Sequence, residues 1–253
     1  MRTSIEWRKY FEENAQSLLK IPWHLGHELS EEEQKAITSS VQGFQAGESS
    51  EGRHLFHYAK NYADQSGDYE YVEAIRLFIG EEQRHARDLA HFLQINGIPL
   101  VKRTFTDGVF RRLRQILGNL EVSISVLITA EIIAKVYYTA LRDATHSSVL
   151  QTLCRQILQD EVQHVEFQAQ RLGILRAKRN RVWFVMTNGL QSFLFCGTCL
   201  VVWIFHRKVF IKSGYPFVEF WKYCWKEFIK ALKISRNAMI IMSMNNELVL
   251  VEP

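Results

Sequence analysis

The chain has 253 residues, 47% of them hydrophobic and 23% charged, so it is long enough to bury a sizeable core and is not disordered over most of its length. Its net charge of +4 is small, and its basic residues are spread out except between Arg176 and Arg181, which argues against nucleic acid as a partner. The four cysteines lie in apolar or helical context, and residues 1–6 lack the apolar core of a signal peptide. We therefore expect a reducing, cytoplasmic setting without disulfides.

Helical periodicity runs through most of the sequence. Only four prolines and thirteen glycines interrupt it, and apolar residues recur at helical spacing, which favours an all-α protein. We divide the chain into an N-terminal helical extension (1–29), a four-helix bundle (30–175) and a C-terminal hydrophobic and aromatic helical appendage (176–253).

The N-terminal part predicts one short helix and the start of a long one. A short amphipathic helix covers residues 5–20 and ends before Pro22. Ser30 with Glu33 three residues later is a capping-box pattern, so the first bundle helix begins there and continues to a turn at 66–68. Its apolar face is interrupted by Glu48 and Glu51, where hydrophobic side chains are expected.

The second bundle helix covers about 69–96 and carries Glu82 and His85 on its apolar face. Gly97 and the following proline end it. The connection over 98–119, which includes a basic helical patch, is long enough to cross from one end of a bundle to the other.

The third and fourth bundle helices form a second hairpin. The third, about 120–144, carries Glu131 among apolar residues, and the fourth, about 148–175, carries Glu161 and His164. The predicted topology is therefore hairpin, crossover, hairpin.

The appendage begins with an apolar run. Residues 182–205 contain no charge and are long enough to span a bilayer, which needs ~20 residues. Asn188 and Gln191 inside the run, and basic residues on both flanks, weaken that interpretation. A membrane helix and a fifth helix buried against the bundle or a partner subunit both stay open. An aromatic helix at 217–234 follows, and the chain from Met239 is predicted to be a loosely held tail.

The sequence contains a repeated half-site, in which a glutamate is followed about thirty residues later by Glu-x-x-His. The copies are Glu51 with Glu82 and His85, and Glu131 with Glu161 and His164. The spacing is 31 residues in the first copy (82 − 51) and 30 in the second (161 − 131). In antiparallel hairpins, equal spacing places each upstream glutamate level with its Glu-x-x-His partner. Because unpaired buried anions are very costly, the four carboxylates predict two divalent cations between them.

This constellation resembles the ferritin-like di-iron carboxylate superfamily, whose four helices carry Glu, Glu-x-x-His, Glu and Glu-x-x-His in turn. The similarity covers about residues 30–175 and does not identify a subfamily. It implies a ferritin-like four-helix bundle that binds two iron ions, with manganese as an alternative. The ligands it implies are Glu82, His85, Glu131, Glu161 and His164.

The ligand on the first helix has two candidates. Glu51 satisfies the internal symmetry, because it is the glutamate level with Glu82 across the hairpin. Glu48 lies in a Gly-Glu-Ser string that is similar to the one around the first ligand of rubrerythrins. We favour Glu51 and keep Glu48 as the alternative carboxylate.

Other residues are candidates to support the ligands. Asp160 and Glu81 each immediately precede a ligand glutamate, and Asp160 resembles the aspartate that bonds a ligand histidine in several di-iron families. Tyr58 and Tyr138 each follow an upstream glutamate by seven residues and are candidates for hydrogen bonding or electron transfer, with core packing as the alternative.

The resemblance implies an oxidoreductase that activates dioxygen or peroxide, with an electron-donor protein as a further partner. One alternative is a ferroxidase, or a peroxide-scavenging protein, without an organic substrate. The other is a membrane-associated adaptor without enzymatic activity. Homo-oligomerisation and membrane contact through 182–205 stay open.

Overall fold

The computed structural model describes residues 1–49, 52–101, 119–177 and 179–249. Within these ranges the chain is all-α and has no strand. The α-helices are α1 (Ser4–Asn14), α2 (Glu31–Glu48), α3 (Arg53–Ser66), α4 (Tyr69–Ile95), α5 (Leu120–Asp143), α6 (Ser148–Arg176), α7 (Arg181–Lys212) and α8 (Phe217–Val249), with one 3-10 turn at Trp23–Leu25.

Two helical hairpins form a four-helix bundle, as predicted. The first pairs α2 and α3 with α4, and the second pairs α5 with α6. Gly67 closes the first hairpin in the left-handed conformation (φ +77°), and Ser147 caps the start of α6. The predicted basic patch in the crossover falls within 102–118 and lies outside the described residues.

Local capping chemistry fixes the first helix boundaries. Ser30 and Glu33 form the predicted capping box, in which the Ser30 amide donates to Glu33 Oε2 at 2.9 Å. The N-terminal helix ends at Asn14, earlier than the predicted residue 20, because the chain tightens there into bonds between residues three apart, such as Ser17 N–H to the Asn14 carbonyl.

The prediction of one continuous first bundle helix is wrong, because α2 ends at Glu48 and α3 begins at Arg53. Gly52 precedes α3 with a φ of +125°, a conformation that L side chains rarely adopt. A Cβ at this position would lie 2.7 Å from Ile79 Cγ2, so the chain also approaches α4 too closely for a side chain. Glu51 lies in the gap and is outside the described residues.

The bundle interior contains two hydrophobic clusters. One includes Val41 and Leu89, and the other includes Leu55 and Phe78. On α4, Glu82 and His85 lie between Phe78 of the second cluster and Leu89 of the first. Glu48 lies between Val41 of the first cluster on α2 and Leu55 of the second on α3. The candidate site therefore lies where the two apolar clusters meet.

The N-terminal and C-terminal helices pack on the bundle. Helix α1 lies against α4, and α8 lies against α6 and α5. The chain from Met239, predicted to be a loosely held tail, is instead helical, because α8 continues to Val249. Gly173 on α6 allows the contact between α6 and α8, since a Cβ there would lie 2.2 Å from the Ser235 carbonyl oxygen on α8.

Helix α7 is long and apolar enough over Val182–Lys212 to cross a membrane, yet it packs on α5 and α2. Only 39% of its most apolar window is buried, so one face is covered and the other is not. The polar residues Asn188 and Gln191 accept hydrogen bonds from Arg176 Nη1 at 2.8 and 3.1 Å. These residues therefore anchor α7 to the end of α6.

Two helical glycines, one in close contact with a neighbouring helix and one facing open space, should respond to alanine substitution in opposite ways. We expect Gly173→Ala to lower the free energy of unfolding by about 1–3 kcal/mol, because the added methyl group meets backbone atoms of α8. Gly189→Ala on α7 has open space at its Cβ, so it should raise stability by about 0.5–1 kcal/mol. Urea unfolding followed by circular dichroism measures both, and equal effects would contradict the packing.

Candidate metal centre

Six metal-ligating side chains meet inside the bundle, from α2, α4, α5 and α6. Each is at most 7% exposed. They are Glu48, Glu82, His85, Glu131, Glu161 and His164. Five of them are the predicted ligands outside the first helix, and the sixth is the alternative carboxylate of the first helix.

The side chains fall into two groups that share one residue. Glu82, Glu131, Glu161 and His164 form one group, and Glu48, Glu82 and His85 form the other. In each group the ligand atoms lie within 4.8 Å of one another, a separation that one metal ion between them can satisfy. The site therefore has the form of two adjacent metal positions joined by Glu82.

Glu161 also lies between the two positions. Its carboxylate oxygens are 4.0 Å from His85 Nδ1 and 4.0 Å from His164 Nδ1. Glu82 Oε1 is 3.8 Å from the first of these nitrogens and 2.9 Å from the second. Glu82 and Glu161 are thus the two carboxylates close to both histidines.

Apart from the 2.9 Å approach of Glu82 Oε1 to His164 Nδ1, several atoms that face the centre lack hydrogen-bond partners among the described residues. They are Glu82 Oε1, Glu131 Oε1, both carboxylate oxygens of Glu161, and Nδ1 of His85 and His164. Buried polar atoms without partners are strongly unfavourable, and oxygen and imidazole nitrogen are the donors that iron and manganese accept. The residues present therefore fit a pair of such cations.

The pKa values of the carboxylates also show that burying their charged forms is unfavourable. Burial, reinforced by the charge of Glu82, raises the pKa of Glu48 well above its usual value. Burial and the neighbouring Glu161 do the same to the pKa of Glu131, and burial raises the pKa of Glu161. Burial also opposes the charged form of Glu82, but close contact with His164 outweighs it and lowers the pKa of Glu82. Four carboxylates cannot all stay charged here without positive charge between them.

Each histidine is held by a carboxylate from the opposite helix. His85 Nε2 on α4 is 3.0 Å from Asp160 Oδ2 on α6, and His164 Nε2 on α6 is 2.8 Å from Glu81 Oε2 on α4. The tautomer that donates Nε2–H to these carboxylates leaves the Nδ1 lone pair facing the centre. Asp160 and Glu81 thus occupy the supporting positions predicted for them, in a crossed arrangement that the sequence did not indicate.

Asn14 joins the two supporting carboxylates. Its side-chain amide Nδ2 donates to Glu81 Oε1 at 2.6 Å and to Asp160 Oδ1 at 2.8 Å. Arg84 and Gln156 donate to Asp160 as well, at 2.5 and 3.1 Å. The sequence analysis missed all three residues. No sequence pattern could have indicated Asn14, because it lies outside the predicted bundle and is not part of the Glu-x-x-His repeat.

The two candidate tyrosines differ. Tyr138 is fully buried, and its hydroxyl donates to Glu48 Oε1 at 2.5 Å, so it contacts the cluster directly. Burial, with the nearby negative charge of Glu48, raises the pKa of Tyr138. Tyr58 on α3 is partly buried against the cluster that contains Phe78.

Known proteins match this chain by structure. No protein-family model matches the sequence, and no curated protein matches it. Two solved structures of mutants of an R2-like ligand-binding oxidase with an aerobically reconstituted Mn/Fe cofactor are similar to it. Their TM-scores are 0.68 and 0.63 at 15% and 16% identity, and they cover 94% and 92% of this chain and 93% and 94% of their own. The predicted ferritin-like bundle is therefore confirmed at the level of the fold.

Because Asn14 bonds both carboxylates that contact the histidines, its contribution to metal binding can be tested. We expect Asn14→Ala to weaken metal binding by about 10–100-fold, because Glu81 and Asp160 lose the group that holds them together. Glu13→Ala, one residue earlier and exposed, is the matched control. Metal titration with a competing chelator measures both, and equal affinities in the two variants would contradict the role of Asn14.

Proposed function

We propose that this chain is a di-metal carboxylate oxidoreductase that reacts with dioxygen or peroxide. One observation carries the proposal: four carboxylates and two imidazoles, each at most 7% exposed, converge in two adjacent groups inside the bundle, and several of their facing atoms have no hydrogen-bond partner among the described residues. Two divalent cations would balance the four negative charges. Surface charge on helices does not account for groups that are this deeply buried.

The residues have separate roles in this proposal. Glu82 and Glu161, the carboxylates near both histidines, would be shared by the two metal ions, and His85 and His164 would each hold one. Glu131 completes the group around His164. Bound iron or manganese would supply the redox chemistry and the open positions for oxygen. Because electrons must reach the centre from outside during turnover, an electron-donor partner belongs to the proposal.

We also propose Glu48 as the ligand on the first helix, in place of the favoured Glu51. Glu48 belongs to the group with Glu82 and His85, and the Tyr138 hydroxyl fixes the orientation of its carboxylate.

Apolar side chains enclose the centre. The ring of Phe78 lies edge-on to His164 with centroids 4.7 Å apart, and Phe11 from α1 lies 6.2 Å from the same ring. A site closed by such side chains excludes water and strengthens the electrostatic interactions inside it. This setting favours controlled oxidation over simple exchange of metal with the solvent.

The comparisons support iron or manganese as the metal, since the similar oxidases carry a Mn/Fe cofactor. Iron handling or peroxide scavenging without an organic substrate uses the same cage and is the second candidate. Light scattering distinguishes iron storage from oxidation, because storage needs a closed shell of many copies and therefore a much larger particle mass. A non-enzymatic adaptor would not need the paired ligand groups of the centre.

The first test is metal content together with oxygen uptake. Protein loaded anaerobically with Fe²⁺, alone or with Mn²⁺, should hold about two metal ions per chain and consume oxygen when air is admitted. Glu82→Ala and Glu161→Ala should each lose most of the metal, because each removes a carboxylate shared by both positions. Unchanged occupancy in both variants would refute the site.

The same assay distinguishes the two carboxylates of the first helix. Glu48→Ala should lose metal, whereas Glu51→Ala should keep it if Glu48 is the ligand. The reverse result would restore the symmetry argument made from sequence spacing.

Metal binding should also depend on pH. Because the pKa values of Glu48, Glu131 and Glu161 are raised without cations, these groups retain protons where an exposed carboxyl has lost them. Binding displaces those protons, so metal affinity should rise with pH and protons should be released. Calorimetry in buffers of different ionisation enthalpy measures the release. A proton count of zero near neutral pH would contradict the raised pKa values.

A further inference from the structure

Helix α7 presents a continuous apolar stripe on its outward face. The exposed residues of this outer stripe are Val182, Val185, Met186, Leu190, Phe193, Leu200, Ile204 and Ile211. Phe193 is 77% exposed and Leu190 is 65% exposed. Most are separated by three, four or seven residues, which places them on one side of the helix over roughly 45 Å. A stripe this long is far more apolar surface than a soluble monomer ordinarily exposes.

The opposite face of α7 is fixed to the bundle. Phe195, Val202 and Phe210 are buried in the core, and His206 Nδ1 lies 2.7 Å from the Ser40 hydroxyl on α2. Together with the bonds from Arg176 to Asn188 and Gln191, these contacts hold the helix along its length. Spanning a bilayer would break them, whereas inserting only the outer stripe would leave them intact.

The segment that carries the stripe has basic residues and no acidic ones. No acidic residue occurs in the sequence between Glu166 and Glu219, while Arg207 and Lys208 are exposed near one end of the stripe and Arg179 is near the other. A second copy packed stripe to stripe would bring these basic ends close to one another with no acidic residue of the segment to pair them. An anionic surface complements them.

Both C-terminal helices carry an exposed tryptophan. Trp183 is 41% exposed at the start of α7. Trp225 on α8 is 39% exposed and its ring lies 6.2 Å from that of Phe195. Tryptophan rings with an apolar body and a polar N–H favour the boundary between lipid headgroups and acyl chains.

We propose that the outer stripe of α7 inserts into the headgroup boundary of a bilayer containing anionic phospholipids. The helix lies in the plane of the membrane, the basic residues at its ends contact lipid phosphates, and the bundle stays on one side. The protein is thus attached to one leaflet and does not span the membrane. This proposal is independent of the metal chemistry.

Vesicle flotation of the full-length protein tests it. We expect binding to vesicles of mixed phosphatidylcholine and phosphatidylglycerol, and much weaker binding to phosphatidylcholine alone. The double variant Leu190→Glu with Phe193→Glu should bind at least about tenfold more weakly, because it places charges in the acyl boundary. Arg207→Gln with Lys208→Gln should lose about tenfold or more of the preference for anionic vesicles.

The matched control replaces exposed apolar residues away from α7. Ile5→Glu with Leu25→Glu, at positions 57% and 45% exposed, should leave vesicle binding unchanged. Circular dichroism and metal content should stay the same in every variant, since all the changed side chains face solvent. No flotation of the wild-type protein, or undiminished flotation of the α7 variant, would overturn the proposal. So would a lipid-free dimer, seen by light scattering, that Leu190→Glu with Phe193→Glu converts to monomer.

Discussion

The burial of four carboxylates at the junction of two apolar clusters is the constraint on which this structure depends. Anions in such a place are unfavourable unless positive charge lies between them, and the raised pKa values of Glu48, Glu131 and Glu161 express that cost. Only two imidazoles and no buried lysine face the described cluster, so metal ions are the natural counter-charge. The bundle is therefore a hydrophobic scaffold around a polar centre whose negative charge two bound cations would balance.

The crossed hydrogen bonds make that centre rigid. Because Glu81 holds the histidine of α6 and Asp160 holds the histidine of α4, neither helix can shift without disturbing both metal positions. Asn14 extends the connection to α1, so the N-terminal helix contributes to the geometry of the centre. Part of the chain that looks like an extension thereby belongs to the functional unit.

Helix α7 in the C-terminal part has one polar-anchored face and one exposed apolar face. Arg176 at the end of α6 donates hydrogen bonds to Asn188 and Gln191 of α7. Because these polar residues face the bundle, the apolar stripe of α7 faces outward. A segment that hydropathy alone describes as a candidate membrane span is thus a two-faced helix. One face packs on the bundle, and the other is exposed.

The sequence by itself determined the helical class, the two hairpins and five of the six buried residues of the candidate centre, because helical periodicity and the Glu-x-x-His spacing are local properties of the chain. It favoured Glu51 over Glu48 because it predicted one continuous helix. The interruption between α2 and α3 was not predictable, since it accompanies the close contact of Gly52 with Ile79 on α4. Nor could the sequence indicate the role of Asn14 or the outward face of α7. Those features arise from contacts between residues far apart in the chain, and only the packing of the helices brings them together.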